Sequence, residues 1–301
     1  MTYIEYCNTN YIELPELSSS LKELYCYDNP LLKELPKLPS TLEELLCYNI
    51  PLLERLPKLP SSLKKLVCTN NPLITTLPEL PSSLQYLYCY DNPLLERLPE
   101  LPYSLKELVC INNSLIITLP KLPSSINKLK YSGNIVLTTL PSSLKILHCY
   151  HNLLLTELPE LPSSLEELYC YNHPLLKALP YLSSSLEILY CDNIPLLTEL
   201  PDLPSSLEKL FCSNNLLLTK FPNLPSNIIQ IYSHNNPLLT TLSRSIIYCK
   251  KLIYNYNYCH HYKKYKDLNY LESLPYLINK CIEEYYYKPI MNYYNKNYLK
   301  L

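Results

Sequence analysis

Cysteine is the residue whose type and spacing first suggest chemistry in this chain. Cys26, Cys47, Cys68, Cys89 and Cys110 recur every 21 residues, and after one shorter unit the period resumes at Cys149, Cys170, Cys191 and Cys212. Such an array could form a redox relay or a metal site, because neighbouring parallel strands bring residues within the distance that a disulfide tolerates. A buried, unpaired thiol instead behaves as a small hydrophobic side chain. Side chains that repeat in register point the same way, so the sequence predicts thiols packed in parallel in an apolar core.

A second group of possible metal ligands lies near the C-terminus. It consists of Cys249, Cys259, His260, His261 and Cys281. These residues could ligate zinc, but their irregular spacing is unlike that of a zinc ribbon or finger. No metal site is therefore predicted, and zinc binding is kept as an alternative role for this segment.

The sequence contains no recognisable set of catalytic residues. The six histidines are scattered apart from the pair His260 and His261, and neither a Ser/His/Asp spacing, a paired-carboxylate motif nor an H-E-x-x-H motif occurs. Gly133 is the only glycine, whereas loops that cradle phosphate need several for close backbone approach. We expect a protein that is not an enzyme and has no catalytic residues and no cofactor.

The cysteines belong to a repeat that reads S-L-x-x-L-x-C-x-x-N-P-L-L-x-x-L-P-x-L-P-S, and about twelve copies can be aligned. Alternation around Leu87, Tyr88 and Cys89 predicts a strand with leucine and cysteine directed inward and tyrosine outward. The proline-rich return segment favours extended or polyproline-like backbone, since proline fixes φ and lacks an N–H. One 21-residue unit cannot bury its leucines alone, so the units must stack with their strands in parallel.

The stretch Leu84, Leu87, Cys89, Asn92 and Leu94 resembles the leucine-rich-repeat pattern, and the resemblance covers roughly residues 1–242. The L-P-x-L-P segment is similar to the short repeats of bacterial effectors, and the composition is similar to that of repeat proteins of giant DNA viruses of amoebae. The resemblance implies a solenoid with a parallel β-sheet on its concave face and an extended, polyproline-like convex side. It also implies a non-catalytic scaffold that binds a protein. Bacterial effectors of this kind often carry a C-terminal ubiquitin ligase, but the tail here is short and offers only Cys281 followed by Ile282 and Glu283.

Asparagine recurs at the inward position that follows each strand. A buried amide is unfavourable unless it is hydrogen-bonded, so we expect a ladder in which stacked copies supply the partners. Its predicted members are Asn10, Asn29, Asn71, Asn92, Asn113, Asn134, Asn152, Asn215 and Asn236. Ile50, His173 and Ile194 depart from the pattern, and the ladder should be interrupted or rearranged there.

Aromatic residues occupy two outward positions of the strand, motif positions five and seven, where they would form an amphipathic platform on the concave face. Tyrosine offers a large, fairly rigid ring with a hydroxyl that can stay hydrated, which suits protein recognition. It is also a good strand former and is abundant throughout this chain, so composition alone could place it there. The predicted partner-binding residues are Tyr25, Tyr27, Tyr88, Tyr90, Tyr150, Tyr169, Tyr171, Tyr190, Phe211 and Tyr232, and Tyr6 and Tyr48 are aligned with them.

The composition changes after Leu242. Residues 243–301 contain ten Lys or Arg and four Asp or Glu, whereas the repeats contain sixteen and twenty-three. Helical spacing from Leu274 to Tyr285, with Ser273 as N-cap, predicts a helical cap over the last repeat. Alternatively, Lys263, Lys264 and Lys266 among tyrosines could bind single-stranded nucleic acid or an acidic protein.

Charge and hydropathy narrow the expected partners and compartment. The formal net charge is −1 and the pI is near 6.6, so no basic field favours nucleic acid. No charged-then-apolar leader precedes the first repeat, and polar residues and prolines break every leucine-rich stretch. We expect an intracellular, cytoplasmic protein with reduced thiols that binds a protein and no membrane; its oligomeric state is left open.

Overall fold

The computed structural model describes residues 3–239 and the backbone of Lys251–Leu252. Within these residues the regular elements are short strands joined by turns, and no α-helix occurs. The strands are β1 (Tyr3–Cys7), β2 (Glu23–Tyr27), β3 (Glu44–Tyr48), β4 (Lys65–Thr69), β5 (Tyr86–Tyr88), β6 (Glu107–Cys110), β7 (Lys128–Ser132), β8 (Ile146–Tyr150), β9 (Glu167–Tyr171), β10 (Ile188–Tyr190), β11 (Lys209–Phe211), β12 (Gln230–Tyr232) and β13 (Lys251–Leu252).

The described chain forms two compact units. The first contains the residues up to Cys149 together with Pro162–Leu165, and the second contains Tyr150–Leu161 together with the described residues from Glu166 onward. In the first unit β1 to β8 pair in parallel in chain order, and in the second β9 to β13 do the same. Parallel pairing in chain order with one strand per repeat is the arrangement that the 21-residue period predicts.

The core of both units is built from the same columns of residues. Leu24, Leu45 and Leu66 lie opposite one another on successive strands, as do Cys26, Cys47 and Cys68, and all six are fully buried. Leucines of the return segment, such as Leu32 and Leu35, close the other side of the core. The predicted inward direction of leucine and cysteine is therefore confirmed.

The first strand is one residue out of the register expected from the sequence. Tyr6, not Cys7, lies opposite Cys26, while Glu5 lies opposite Tyr25 and Cys7 opposite Tyr27. The alignment of Tyr6 with the outward tyrosines was therefore wrong. The spacing from Tyr6 to Cys26 is 20 residues, so a strict 21-residue period misplaces the first repeat by one position, and in a strand that exchanges the two faces.

The asparagine ladder is present in both units. Asn92 donates from Nδ2 to the Cys68 carbonyl at 2.8 Å, and its Oδ1 accepts the amide of Asn71 at 2.9 Å. Asn236 likewise donates to the Cys212 carbonyl and accepts the amide of Asn215, both at 2.8 Å. Both bonds of each side chain reach the preceding repeat, where they satisfy backbone groups that would otherwise be buried without partners.

The interruptions of the ladder are also as expected. Ile50 and Ile194 are buried in the asparagine position and join the ladder through their backbone amides, which donate to Asn71 and Asn215. Buried His173 keeps a polar contact, with Nδ1 3.4 Å from the Asn152 carbonyl oxygen. The prediction that Asn10 belongs to the ladder was wrong: Asn10 is exposed, and the backbone amide of Thr9 donates to Asn29 Oδ1 at 3.1 Å in its place, because the first repeat is one residue shorter. Asn134 is half-buried.

A backbone feature missed by the sequence analysis lies directly before this ladder. One residue per repeat has positive φ, between 51° and 62° for the non-glycine members and 83° for Gly133. The members are Asn8, Asp28, Asn49, Asn70, Asp91, Asn112, Gly133, His151, Asn172, Asn193, Asn214 and Asn235. Glycine, asparagine and aspartate tolerate this left-handed region better than other residues, which explains the D-N and N-N pairs of the repeat and the place of the single glycine.

Serine at the other turn provides a third set of inter-repeat bonds. Ser62, Ser83 and Ser104 donate from Oγ to the carbonyls of Leu42, Leu63 and Leu84, at 2.5–2.6 Å. The P-S-S-L segment thus forms a turn and also holds it to the preceding repeat. Hydrogen bonds between repeats thus use the serine and asparagine side chains at the turns. The outward strand residues are left for other roles.

The predicted C-terminal helix, the basic tyrosine-rich segment and the possible zinc ligands lie outside the described residues. Strand β13 pairs with β12 in parallel and keeps the 21-residue offset, since Gln230 lies opposite Lys251. Among the described residues there is no helix long and apolar enough to cross a bilayer.

Candidate functional site

The outward residues of the strands form a surface that we call the sheet face. It comprises the strand residues that alternate with buried leucine and cysteine, and most are half-buried. Because strands are parallel and in register, residues of one motif position lie side by side on neighbouring strands, about 4.8 Å apart. Each motif position therefore becomes a row across the strands.

In the first unit the rings of the sheet face form separate contacts. Tyr27 and Tyr48 stack with ring centroids 4.6 Å apart and planes 3° from parallel, while Tyr3 meets Tyr25 edge to face at 4.9 Å. The rows of rings are interrupted, because on the next strand Leu46 lies opposite Tyr25 and Thr69 lies opposite Tyr48. The aromatic surface of this unit is therefore discontinuous.

Hydroxyl groups of these tyrosines bond to carboxylates on the same face. Tyr25 donates to Glu23 at 3.2 Å, and Tyr27 donates to Glu5 on the adjacent strand. Burial, followed by Glu23, raises the pKa of Tyr25 to about 12. Tyr88 has a raised pKa through burial and then through Glu107, whose carboxylate also pairs with Lys128 at 2.7 Å. The hydroxyls stay protonated at neutral pH and act as hydrogen-bond donors.

The second unit carries a continuous stack of four rings on β9 to β12. Centroids of Tyr169 and Tyr190 are 5.8 Å apart, those of Tyr190 and Phe211 5.0 Å, and those of Phe211 and Tyr232 4.8 Å. The planes lie within 18° of parallel at each step. Stacked rings at the strand spacing follow directly from one aromatic residue per repeat in register.

A second row joins this stack from the side. Tyr150 and Tyr171 stack at 5.0 Å, and Tyr171 contacts Tyr190 at 5.2 Å with planes tilted by 59°. Six aromatic side chains of the second unit are thus in one connected group, which we call the aromatic patch: Tyr150, Tyr169, Tyr171, Tyr190, Phe211 and Tyr232.

Nine of the ten predicted partner-binding residues lie on the sheet face and are half-buried, whereas Tyr90 lies two residues after the end of β5 and is exposed. The contacts among them differ from those expected. Pairs within one repeat, such as Tyr169 with Tyr171, were expected to form the rungs, but the stacks run from one repeat to the next. Adjacent strands are closer than alternate residues of one strand, which explains the direction.

Burial makes most of the thiols unreactive. None of the described cysteines forms a disulfide, and each one except Cys7 is buried. Burial raises the pKa of Cys26, Cys68 and Cys149 to about 12, so the thiolate that would act as nucleophile is scarce at neutral pH. Among the described residues no group of three or more His, Cys, Asp or Glu could hold a metal ion.

Asp192, Ser213 and His234 form one row, each two residues after the end of β10, β11 or β12, and resemble a catalytic triad in composition. Ser213 Oγ lies 2.9 Å from His234 Nδ1, but Asp192 accepts the backbone amide of Ser213 at 2.6 Å. In a triad the carboxylate orients the histidine. Ser213 is also 0% exposed, so a substrate could not reach Oγ. The three residues bind adjacent repeats together, a role that the sequence analysis missed.

A basic spot interrupts the apolar row of the first unit at Lys130 and His148. Burial, followed by Lys130 and Lys128, lowers the pKa of His148 to about 4. His148 is therefore neutral at physiological pH. Both residues replace the aromatic or aliphatic side chain of other repeats, next to the shortened unit that follows Gly133.

Repeats of 21 residues with one parallel strand each, inward leucines and an asparagine ladder define the chain as a leucine-rich-repeat solenoid. Solved structures agree. YopM from Yersinia enterocolitica WA-314 is 32% identical, with a TM-score of 0.61 over 80% of this chain and 58% of that one. YopM from Yersinia pestis, a leucine-rich effector protein, is 29% identical, with a TM-score of 0.57 over 84% of this chain and 88% of that one.

The circular leucine-rich-repeat protein CroV588 shows a weaker likeness, with 20% identity and a TM-score of 0.47. This chain spans 58% of the length of the first YopM structure. No protein-family model matches the chain, and no curated protein matches it at the level of sequence. The resemblance to short bacterial-effector repeats predicted from the L-P-x-L-P segment is confirmed by the two YopM structures.

Proposed function

We propose that this chain is a non-catalytic scaffold that binds a protein partner on the sheet face, the face predicted from sequence to be concave. The observation that carries the proposal is the aromatic patch, in which six rings are connected but remain partly open to solvent. Contiguous exposed apolar surface rimmed by polar groups is typical of interaction sites. Tyrosine adds hydroxyl donors at low conformational cost.

The likeness to YopM supports an effector-like interaction protein, because that relative is itself described as a leucine-rich effector. Free, buried thiols favour a reducing compartment, so we place the protein in the cytoplasm, of a host cell if it is viral or an effector. No cofactor is invoked. The alternative adaptor role of the basic tail concerns residues outside those described and remains a prediction.

The test is affinity purification with mass spectrometry of the full chain and two double variants. Tyr190→Ala/Phe211→Ala removes two rings of the aromatic patch, whereas Tyr103→Ala/Tyr181→Ala removes the two tyrosines that are 86% and 93% exposed elsewhere on the repeats. We expect the first variant to lose partners without unfolding and the second to retain them. Retention of every partner by the first variant would show that the sheet face at these residues is not the site.

A further inference from the structure

One repeat has a shortened return segment, and we call it the shortened unit. Its offset from Tyr131 to Cys149 is 18 residues, against 21 in the repeats on either side. Where most other return segments read Leu-Pro-x-Leu-Pro, this one has a single pair, Leu140 and Pro141. Three residues of polyproline-like chain span about 9 Å, so the outer wall of the solenoid is incomplete at this repeat.

A groove of about 880 Å³ lies beside the shortened return segment. One wall is the return segment of the preceding repeat, residues 118–124, and the other is formed by residues 136–141 of the shortened unit. Leucine and proline supply most of both walls, and Val136 in the second wall is 51% exposed. All of these residues belong to the first compact unit.

Leu119 shows that the missing residues uncover part of the core. Its counterparts in the three preceding repeats, Leu56, Leu77 and Leu98, are 5–7% exposed, whereas Leu119 is only half-buried. Each repeat of a solenoid is covered by the next one, so the shortened unit leaves Leu119 open to the groove that it lines. Apolar surface left open in this way is favourable for a partner that removes it from water.

Full-length return segments form a furrow as well, of about 1520 Å³, across the first four repeats. Its leucines of the second and third repeats, Leu38 and Leu59, are only 6% exposed. A surface rich in leucine and proline is therefore common on the return side. The groove of the shortened unit differs from it through the uncovered Leu119 and the missing residues.

We infer that the groove of the shortened unit is a docking site for an extended leucine- and proline-containing segment of a partner protein. The missing residues determine the shape of the occupant, because elsewhere the neighbour of one Leu-Pro-x-Leu-Pro segment is another of the same kind. A proline-containing segment is already extended before it binds, so it loses little conformational entropy. No strand residue lines the groove, so the inference goes beyond the proposed function and does not depend on the sheet face.

The test measures binding of fluorescein-labelled pentapeptides to the full chain by fluorescence anisotropy. The probe is Leu-Pro-Glu-Leu-Pro, the sequence of residues 77–81. Ser-Pro-Glu-Ser-Pro keeps the prolines without the leucines, and Leu-Gly-Glu-Leu-Gly keeps the leucines without the prolines. We expect the probe to bind at least tenfold more tightly than either control, because the groove requires both apolar contact and an extended backbone. Equal affinity for the three peptides would contradict the inference.

Variants of the chain locate the site. Insertion of Lys-Leu-Pro between Pro141 and Ser142 restores a full-length return segment, so it should fill the groove and weaken probe binding at least tenfold. Val136→Glu places a charge in the groove and should do the same, whereas Leu94→Glu, at the same motif position two repeats earlier and 43% exposed, should change affinity less than threefold. Tyr103 stands at the rim with 86% of its surface exposed, so Tyr103→Ala should also change affinity less than threefold. Thermal melting of each variant checks folding.

Three results would overturn the inference. The first is unchanged probe affinity in the insertion variant, or equal losses in Val136→Glu and Leu94→Glu. The second is a dimer in analytical ultracentrifugation of the unliganded chain that the insertion converts to a monomer, which would assign the groove to a second copy. The third is loss of probe binding in Tyr190→Ala/Phe211→Ala, which would place the peptide on the sheet face. Unchanged binding in that last variant is expected, and it separates the groove from the sheet-face site.

Discussion

Asn92 shows how one residue connects three repeats. Its side chain donates to the Cys68 carbonyl and accepts the Asn71 amide, both on the preceding repeat, while its own backbone amide donates to Asn113 Oδ1 on the next repeat; the residue is completely buried. A hydrophobic replacement leaves both backbone groups without partners. The isoleucines at positions 50 and 194 show that the fold tolerates such losses singly.

Replacement of Asn92 by isoleucine is therefore expected to lower the free energy of unfolding by about 2–4 kcal/mol, since each buried group left unsatisfied costs about 1–3 kcal/mol. Urea denaturation followed by circular dichroism measures the change. The same substitution at exposed Asn10 is the control and should cost less than about 0.5 kcal/mol. A loss at Asn92 as small as that at Asn10 would show that the ladder contributes no stability.

The column of buried thiols makes the folded protein less stable at alkaline pH. Folded-state pKa values of about 12 for Cys26, Cys68 and Cys149 stand above the ordinary value of 9.0. Their contribution is complete below about pH 8.5 and is lost as pH rises toward 12, because the unfolded thiols ionise first. Each such thiol removes about 1.4 kcal/mol of stability per pH unit in that window.

The melting temperature should accordingly be steady from pH 7 to 8 and fall steeply between pH 9 and 10.5. Circular dichroism melts across this range measure it, with Cys47→Ala/Cys68→Ala as the variant whose pH dependence should be shallower. A melting temperature that stays constant up to pH 10.5 would contradict a dry interior around the sulfurs.

At the scale of the element, the turn after each strand depends on a residue with positive φ. Asn70 has φ of 52° and donates to Asn49 Oδ1 at 3.0 Å. A β-branched residue clashes with the following carbonyl in this conformation.

Asn70→Val should therefore destabilise the protein by about 1–2 kcal/mol, the usual penalty for the left-handed region. Asn70→Gly, which also removes the side-chain bond but accepts the conformation, should cost less than half as much. Comparison of the two denaturation midpoints separates backbone conformation from hydrogen bonding. Equal losses would assign the effect to the lost hydrogen bond and not to φ.

For the molecule as a whole, the sequence predicted the fold because periodicity determines it. Leucine and cysteine at strand spacing, asparagine after the strand and proline in the return segment were each confirmed in parallel repeats. The 20-residue first repeat was misaligned, because a one-residue difference in period exchanges the faces of a strand. The direction of ring stacking was missed, since it depends on distances between strands that no single repeat contains.

The candidate site was predictable in its members and not in its chemistry. Outward tyrosines follow from alternation, whereas the connected patch depends on which successive repeats carry rings, as at Tyr190 and Phe211. The Asp192, Ser213 and His234 cluster arises only when three repeats are stacked.

The central claim is that protein partners contact the sheet face, and site-specific photo-crosslinking tests it most directly. A benzophenone amino acid replaces Tyr190 in the aromatic patch or, in a parallel sample, Tyr181 on the return segment, which is 93% exposed. After irradiation in cells, we predict discrete protein adducts from position 190 that disappear in the Phe211→Ala/Tyr232→Ala background, and none of these from position 181. Adducts formed equally at both positions, or only at 181, would contradict the account.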